Sequence, residues 1–241
     1  MDNFKEEDLY GPVKDFFEKQ GYVVRGEVLD CDIALVKGDA LAIVELKKSF
    51  NMSLLYQAID RQKMTGAVYI AIPRKVFMAR RGHILHILEK MSIGLITVAM
   101  DSDMRHVEAH LLPDMAHGRN NKRTKALLAE FNGRVFDGNL GGSTQRKLLT
   151  AHRERALHIA CALEKIGQAK PMQLVKTYSC HKNTLHMLSR NLYGWFTKID
   201  KGVYGLSEIG VGALADPQYT EVAEYYRKVV EDCITAENQE L

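Results

Sequence analysis

Asp32 and Glu45 are separated by twelve residues that read as a β-hairpin with Gly38-Asp39 at its turn. A two-residue loop at these positions sets Lys37 opposite Ala40, and the same register continues to set Asp32 directly opposite Glu45. Two carboxylates in facing positions repel each other unless a cation lies between them. The pair therefore predicts a site for a divalent metal ion.

Two further charged residues, Asp30 and Lys47, face each other in the same register. The two-residue period of a strand places them on one face of the sheet with Asp32 and Glu45. Asp30 is either a second metal ligand or the ion-pair partner of Lys47. Both faces of the hairpin are otherwise apolar, so we expect both to be covered, and α/β folds commonly build sites at the ends of such strands.

These residues resemble the bipartite core of the PD-(D/E)XK nuclease superfamily: Asp32, the intervening hairpin, and Glu45-Leu46-Lys47. Cys31 replaces the proline of that motif. The first 70 residues also agree, with a helix before the hairpin, a helix over 51–65 and an apolar strand over 68–72. Further sequence segments resemble a family of uncharacterised bacterial proteins described as phosphodiesterase-like. These segments are residues 8–10 with 12–14, residues 20–22 and residues 57–62.

The resemblance implies a restriction-endonuclease-like αβββαβ core and a role for each of five residues. Asp32 and Glu45 would bind Mg²⁺ or Mn²⁺, which both suit oxygen ligands. Lys47 would position or activate the attacking water and neutralise charge on the phosphate. Gln57 would orient water or substrate, or else simply bond a neighbouring backbone group. Glu6 is the expected glutamate of the first helix, the alternative being a solvated acid at a helix start.

Two more charged residues can be placed, Asp30 by the resemblance and Arg61 by the helical period. Asp30 becomes the ion-pair partner of Lys47, because the Asp32-Ile33 step fits the superfamily pattern better. Arg61 lies one helical turn after Gln57, so the two are expected on one edge of their helix. Near Glu6, Gly11-Pro12 predicts either a kink or the first turn of a new helix.

Composition indicates a water-soluble protein but separates few functional classes. With 241 residues, 26% of them charged, and a net charge of +3, the chain can form one large or two ordinary domains, and we predict two. No apolar run approaches the roughly 18 to 20 residues that a membrane span needs, and the N-terminus lacks a secretory segment. We therefore predict a cytoplasmic protein without membrane association. The four cysteines lack a CxxC pair and indicate free thiols.

The pattern of apolar and polar residues divides the chain into four parts. Residues 1–115 form the nuclease-like domain, which continues after residue 72 with a helix over 80–91 and strands over 95–99 and 106–112. Residues 116–147 form a linker with a short helix, rich in glycine and basic residues. Residues 148–215 form a winged-helix (α+β) DNA-binding domain, and 216–241 a C-terminal amphipathic helix.

Residues 148–215 resemble a winged helix because helices over 151–165, 171–177 and 182–193 precede a hairpin of strands 196–199 and 203–206. In the third helix Leu185, Leu188 and Leu192 are expected to form the buried stripe. Outward side chains would then bind DNA. They are Lys182, Asn183, His186, Arg190 and Asn191 on the helix, with Lys198 and Lys201 on the wing. The alternative is a winged helix that contacts proteins.

The C-terminal helix carries an apolar stripe at alternating steps of three and four residues. It consists of Tyr219, Val222, Tyr226, Val229 and Cys233. Such a stripe either packs on its own domain or forms the seam of a homodimer.

Together these features predict a metal-dependent phosphodiesterase, a deoxyribonuclease that hydrolyses DNA while its winged helix positions the substrate. Two alternatives remain open. One is a non-catalytic DNA-binding regulator, against which the intact Asp32, Glu45 and Lys47 argue. The other is a partner-dependent repair or restriction subunit, inactive when alone.

Overall fold

A computed structural model describes residues 4–100, 105–114, 121–136 and 149–239. The chain divides into two compact units, Met1–Leu149 and Thr150–Leu241. Half of the predicted linker, including its glycine-rich stretch over 137–143, lies outside the described residues. Among the helices of these ranges, none combines the length and apolar character needed to cross a bilayer. All four cysteines are free, and three of them are buried.

The first unit contains a six-stranded mixed sheet with strand order β1-β2-β3-β4-β5-β6. Strands β1 to β3 are antiparallel, β3 to β5 are parallel, and β6 is antiparallel at the edge. The strands are β1 Val23–Val28, β2 Cys31–Lys37, β3 Ala40–Leu46, β4 Ala67–Pro73, β5 Gly94–Val98 and β6 Val107–Leu111. The helices are α1 Tyr10–Glu18, α2 Met52–Arg61, α3 Arg74–Ala79, α4 Arg81–Met91 and α5 Asn121–Gly133. This mixed α/β unit fits a PD-(D/E)XK-like core.

Apolar side chains cover both faces of the β2–β3 hairpin, as the sequence predicts. On one face, Val13 and Phe17 of α1 pack in one cluster with Ile33 and Val44. On the other face, α5 provides the cover. Its Leu127 and Phe131 lie one turn apart and are buried with Ala34, Leu41 and Ile43.

The helix α5 is longer and more firmly packed than the short helix expected within a linker. It has 13 residues, and its apolar side chains pack against the sheet. The sequence pattern could not assign this contact, because the apolar face of α5 is narrow and its partner lies some ninety residues earlier in the chain.

The chain before β1 forms two helical segments instead of one continuous helix. A 3₁₀ helix spans Glu6–Leu9, and α1 begins directly after it at Tyr10. Pro12 therefore lies in the first turn of α1, where its missing N–H costs no helical hydrogen bond. Of the two expectations for Gly11-Pro12, the start of a new helix is confirmed.

The second unit follows the order helix, strand, helix, helix, strand, strand, and then two further helices. It consists of α6 Ala151–Ile166, β7 Gln168–Ala169, α7 Pro171–Lys176, α8 Thr184–Arg190, β8 Phe196–Asp200, β9 Val203–Leu206, α9 Glu208–Leu214 and α10 Thr220–Gln239. Strands β7, β9 and β8 form a three-stranded antiparallel sheet in that spatial order. The short strand β7 was not predicted from the sequence.

The buried face of α8 differs from the predicted leucine stripe. Thr184, Met187 and Leu188 are buried, whereas Leu185 and Leu192 are 60% and 69% exposed. The helix ends at Arg190, and the next residue adopts the left-handed conformation. Leu192 therefore lies beyond the helix, where the helical period no longer applies, and the prediction for Leu185 and Leu192 was wrong.

The apolar stripe of α10 packs within its own unit. Val222 and Tyr226 are buried together with Ala223 and Val230, and the Cys161 thiol of α6 donates to the Ala223 carbonyl. Packing on its own domain thus explains the stripe. The homodimer stays a prediction, and it would need a surface other than this stripe.

A buried histidine in this unit leads to a pH-dependent prediction. His158 of α6 stacks on Tyr226, with ring centroids 4.4 Å apart. Burial lowers the pKa of His158 to about 4 from an ordinary value of 6.5, although the backbone of Tyr178 opposes the shift. The folded unit therefore holds a neutral imidazole throughout the neutral range.

We expect the second unit to lose stability as the pH falls from about 6.5 to about 4, because the unfolded imidazole gains a proton that the folded one resists. Between these two pH values, the free energy of unfolding of the wild type should fall by about 3 kcal/mol more than that of His158→Phe. Urea unfolding followed by the fluorescence of Trp195, the one tryptophan of the chain, measures it. Parallel pH curves for the two proteins would contradict the expectation.

Candidate active site

The β2–β3 register brings the two predicted metal ligands together. The strands pair from Lys37 opposite Ala40 to Ile33 opposite Val44, which confirms the predicted register. One step further, the same register places Asp32 opposite Glu45. Oδ2 of Asp32 accepts a hydrogen bond of 2.8 Å from the backbone N–H of Leu46, which fixes this carboxylate beside the end of β3.

Glu45 is fully buried and is paired with Arg61 of α2. Nε of Arg61 donates to Oε1 of Glu45 at 2.7 Å, and the arginine side chain is only 7% exposed. The sequence placed Arg61 on the helix edge with Gln57 but did not foresee this ion pair. A signal was present, because Arg61 follows the buried Leu54 and Ala58 at the spacing of the apolar stripe.

Two buried side-chain oxygens, one in the carboxylate pair and one on α2, have no hydrogen-bond partner among the described residues. They are Oε2 of Glu45 and Oε1 of Gln57, which lies one turn before Arg61 on α2. Leaving a buried acceptor unpaired costs about 1–3 kcal/mol, so such atoms call for a ligand. Carboxylate and amide oxygens are suitable ligands for a hard divalent cation. The orphaned oxygens therefore fit a metal at this position.

The protein supplies few ligands to such a metal. Within the described part of the chain, no group of three or more His, Cys, Asp or Glu residues could hold an ion. A pair of carboxylates is nevertheless sufficient for Mg²⁺, which keeps several waters and also binds substrate phosphate.

Burial governs the titration of the carboxylate pair. It raises the pKa of Asp32, against the hydrogen bond from Leu46. Burial also raises the pKa of Glu45 to about 8, with a further increase from the charge of Asp32 and an opposing effect of Arg61. The negative charge of Asp32 thus disfavours the charged form of the buried Glu45.

Lys47 is held by Glu6. Its Nζ donates to Oε1 of Glu6 at 2.9 Å, and Oε2 of Glu6 lies 3.3 Å from the backbone nitrogen of Lys48. This hydrogen bond, which Lys47 donates to Glu6, raises the pKa of Lys47. The structure therefore brings Glu6 of the 3₁₀ helix to the end of β3, 41 residues away along the chain.

Asp30 does not pair with Lys47, so that prediction was wrong. Strand β1 ends at Val28, which pairs with Cys31, and Leu29-Asp30 forms the turn between them. The exposed Asp30 therefore lies outside the strand, and the register argument does not extend to it. Its carbonyl instead accepts a hydrogen bond from Nη2 of Arg61.

The residues predicted to bind DNA lie on the surface of the second unit, with one exception. Exposed side chains include Lys182, Asn183, His186 and Arg190 in and before α8, and Lys198 and Lys201 in and after β8. Asn191 is the exception, because its side chain bonds both the N–H and the carbonyl of Phe196. It closes α8 onto β8 and is not directed outward.

Residues 96–213 match a family model described as "Putative PD-(D/E)XK phosphodiesterase (DUF2161)". The match supports the PD-(D/E)XK superfamily and suggests a hydrolase of the nuclease or phosphodiesterase class. The matched segment begins in β5 and ends in α9, so it excludes Asp32, Glu45 and Lys47. No curated protein and no solved structure matches the sequence.

Proposed function

We propose that this protein is a metal-dependent phosphodiesterase that hydrolyses DNA. One observation carries the proposal: the β2–β3 register, extended by one step, sets Asp32 opposite the buried Glu45, whose pKa the charge of Asp32 raises. Lys47 follows Glu45 two residues later, directly after β3. A strand pair kept only for packing gains nothing from opposed carboxylates, which destabilise a sheet. The family match supports the same class of chemistry from another part of the chain.

Asp32 and Glu45 would hold Mg²⁺ or Mn²⁺, and the orphaned Oε1 of Gln57 would bind either the ion or one of its waters. When bound, such an ion polarises a phosphoryl oxygen and lowers the pKa of a coordinated water. The position of this centre is fixed by β2, β3 and α2. Its ligands therefore need little rearrangement on binding.

Lys47 would contribute the positive charge next to the reacting phosphate. Its side chain is 28% exposed, so the ammonium can reach a bound substrate while Glu6 orients it. The charge developing on the phosphoryl oxygens in the transition state would be stabilised by this ammonium. Gln57 would orient the attacking water from the side of α2.

The second unit would hold the DNA as a winged helix. The element order and the three-stranded sheet of β7, β8 and β9 support this assignment. In such domains the third helix enters the major groove, and here that helix is α8. Lys182, just before α8, and Arg190, at its end, would contact the duplex, and Lys198 and Lys201 would contact the backbone from the wing.

A partner-dependent subunit is the second candidate, and the exposed leucines favour it. Leu185 projects from the outer side of α8 and Leu192 follows the helix, both more than half exposed. Apolar side chains at this surface suit a protein contact better than a phosphate backbone. In that case the isolated protein would bind DNA weakly and cleave it only with its partner.

The test is cleavage of labelled linear, circular and branched DNA by wild type and Glu45→Gln, with Mg²⁺, with Mn²⁺ and with EDTA. The variant keeps the size of the side chain and a hydrogen bond to Arg61 but removes the anionic ligand. We expect cleavage by the wild type with metal only, and a loss of at least about a thousandfold in the variant. Binding without cleavage under every condition would favour the partner-dependent subunit or the regulator.

A second prediction concerns Lys182 and Arg190, the proposed DNA contacts before and at the end of α8. Replacing Lys182 and Arg190 together by glutamine should weaken binding of duplex DNA and flatten its salt dependence, by about 0.9 in the log–log slope for each phosphate that is no longer neutralised. Fluorescence anisotropy at several salt concentrations measures both effects. The matched control changes Lys165 and Lys228 to glutamine, and equal effects in the two double variants would contradict the assignment.

A further inference from the structure

Arg61 is held at the candidate active site by three partners. Nε donates to Oε1 of Glu45 at 2.7 Å, Nη2 donates to the Asp30 carbonyl, and Nη1 lies 3.4 Å from Oδ2 of Asp60. All three guanidinium nitrogens are thus engaged, in a side chain that is only 7% exposed. A planar guanidinium held in this way cannot rotate without breaking several of these interactions.

Asp60 is anchored in turn by two other cations. Nζ of Lys63 lies 2.6 Å from Oδ1, and Nη2 of Arg123 in α5 lies 3.1 Å from Oδ2. The hydrogen bonds from Lys63 and Arg123 lower the pKa of Asp60 to about 2. Asp60 therefore stays charged at all ordinary pH values and gives Arg61 a second anionic partner besides Glu45.

The two oxygens of Glu45 are consequently not equivalent. Oε1 is occupied by Arg61, whereas Oε2 is buried and has no hydrogen-bond partner in the described part of the chain. We propose that Arg61 stays on Oε1 when the metal binds, so that Glu45 ligates through Oε2 alone and the centre holds a single divalent ion. This inference rests on the proposed function and makes Arg61 a positioning residue.

The charge balance of the site also favours a single divalent metal ion. Metal ligation requires both carboxylates to be deprotonated, so in the metal-bound site Asp32 and Glu45 contribute two negative charges. Arg61 contributes one positive charge, while Glu6 and Lys47 compensate each other. One divalent ion and one phosphodiester would make this set neutral. A second divalent ion would leave two uncompensated positive charges in a buried position, which is costly.

The opposite arrangement would make Arg61 a competitor of the metal, displaced whenever an ion binds. The two arrangements predict opposite effects of removing the guanidinium. As a positioning residue, Arg61 holds the ligand oxygen in place, and losing such a partner usually weakens metal binding 10–100-fold. Removing a competitor would instead tighten the binding.

Calorimetric titration of the full-length protein with Mn²⁺ distinguishes a positioning role of Arg61 from competition with the metal. We expect one ion per chain in the wild type and binding about 10–100-fold weaker in Arg61→Met. The matched control is Arg123→Met, which removes a cation from Asp60 without touching Glu45 and should change the affinity less than about threefold. Two ions per chain, or unchanged or tighter binding in Arg61→Met, would overturn the assignment.

A measurement on the wild-type protein covers the case in which Arg61→Met does not fold. The Nε–H resonance of Arg61, assigned by its absence in Arg61→Lys, should stay protected from solvent exchange and shift when Mg²⁺ is added. Loss of this protection on adding Mg²⁺ would show that the ion displaces Arg61 and would overturn the proposal.

Glu45→Gln separates this inference from the proposed function. If wild type binds no Mn²⁺, or if Glu45→Gln binds it as tightly as wild type, the metal centre itself is refuted. If binding depends on Glu45 and the protein cleaves DNA, the results with Arg61 decide the inference alone.

Discussion

Replacing Lys47 by methionine is expected to reduce DNA cleavage by about three orders of magnitude while leaving the fold intact. In the proposed mechanism the ammonium would neutralise charge on the reacting phosphate, and a single electrostatic or proton-handling group of this kind is worth about 10²–10⁴-fold in rate. The side chain is 28% exposed, so its loss opens no core cavity. Single-turnover cleavage with saturating Mg²⁺, together with circular dichroism of each protein, measures the effect.

Two matched variants test whether this effect belongs to Lys47 itself. Lys48→Met makes the same change at the neighbouring exposed residue and should cost less than about tenfold, because Lys48 contacts Glu6 through its backbone nitrogen, which the substitution keeps. Glu6→Gln keeps the ammonium but weakens its anchor, so an intermediate loss of about tenfold is expected. Equal losses in Lys47→Met and Lys48→Met would indicate that only the total surface charge matters.

Replacing Arg134 by methionine is expected to destabilise the first unit by about 3–5 kcal/mol, the range for breaking a buried charge network. The Arg134 side chain is 1% exposed and pairs with Glu130 of α5. It also donates to the carbonyls of Gly26 and Glu27 at 3.0 and 2.5 Å. Glu27 has a positive φ of 49°, which is costly for a residue other than glycine, so Arg134 holds a strained segment next to the hairpin.

Far-UV circular dichroism during urea unfolding measures this loss, since the single tryptophan lies in the other unit. Lys125→Met is the control, because it removes a cation from an exposed position of the same helix. A change below about 0.5 kcal/mol is typical of surface positions and is expected there. The same small change in Arg134→Met would contradict the role of this arginine in joining α5 to β1.

The hairpin could be predicted in detail because its determinants are local. Gly38 adopts a positive φ of 56°, and the two-residue loop fixes every pair from Lys37 opposite Ala40 onward. The alternation of apolar residues then assigns both faces. Glu6 was expected instead from the resemblance, as the glutamate of the first helix.

The contacts that the sequence did not predict depend on distant residues. The pairing of Arg61 with Glu45 depends on how α2 is oriented about its own axis on the sheet. The helical pattern alone defines this orientation only to within a fraction of a turn. Asp30 was misplaced because the tight turn at Leu29 includes Asp30, so this residue lies one position before β2 and outside the strand register. Leu185 was misplaced because α8 is only 7 residues long, too short for its period to fix the buried side.

The register of the β2–β3 hairpin restricts how the length of this segment can change. A single residue inserted into one strand, between Ile33 and Val36, would turn Asp32 to the opposite face while Glu45 kept its place. Equal insertions in both strands would move the turn outward and leave the two carboxylates opposed. Chains that retain this site should therefore differ in hairpin length by even numbers of residues, shared equally between the two strands.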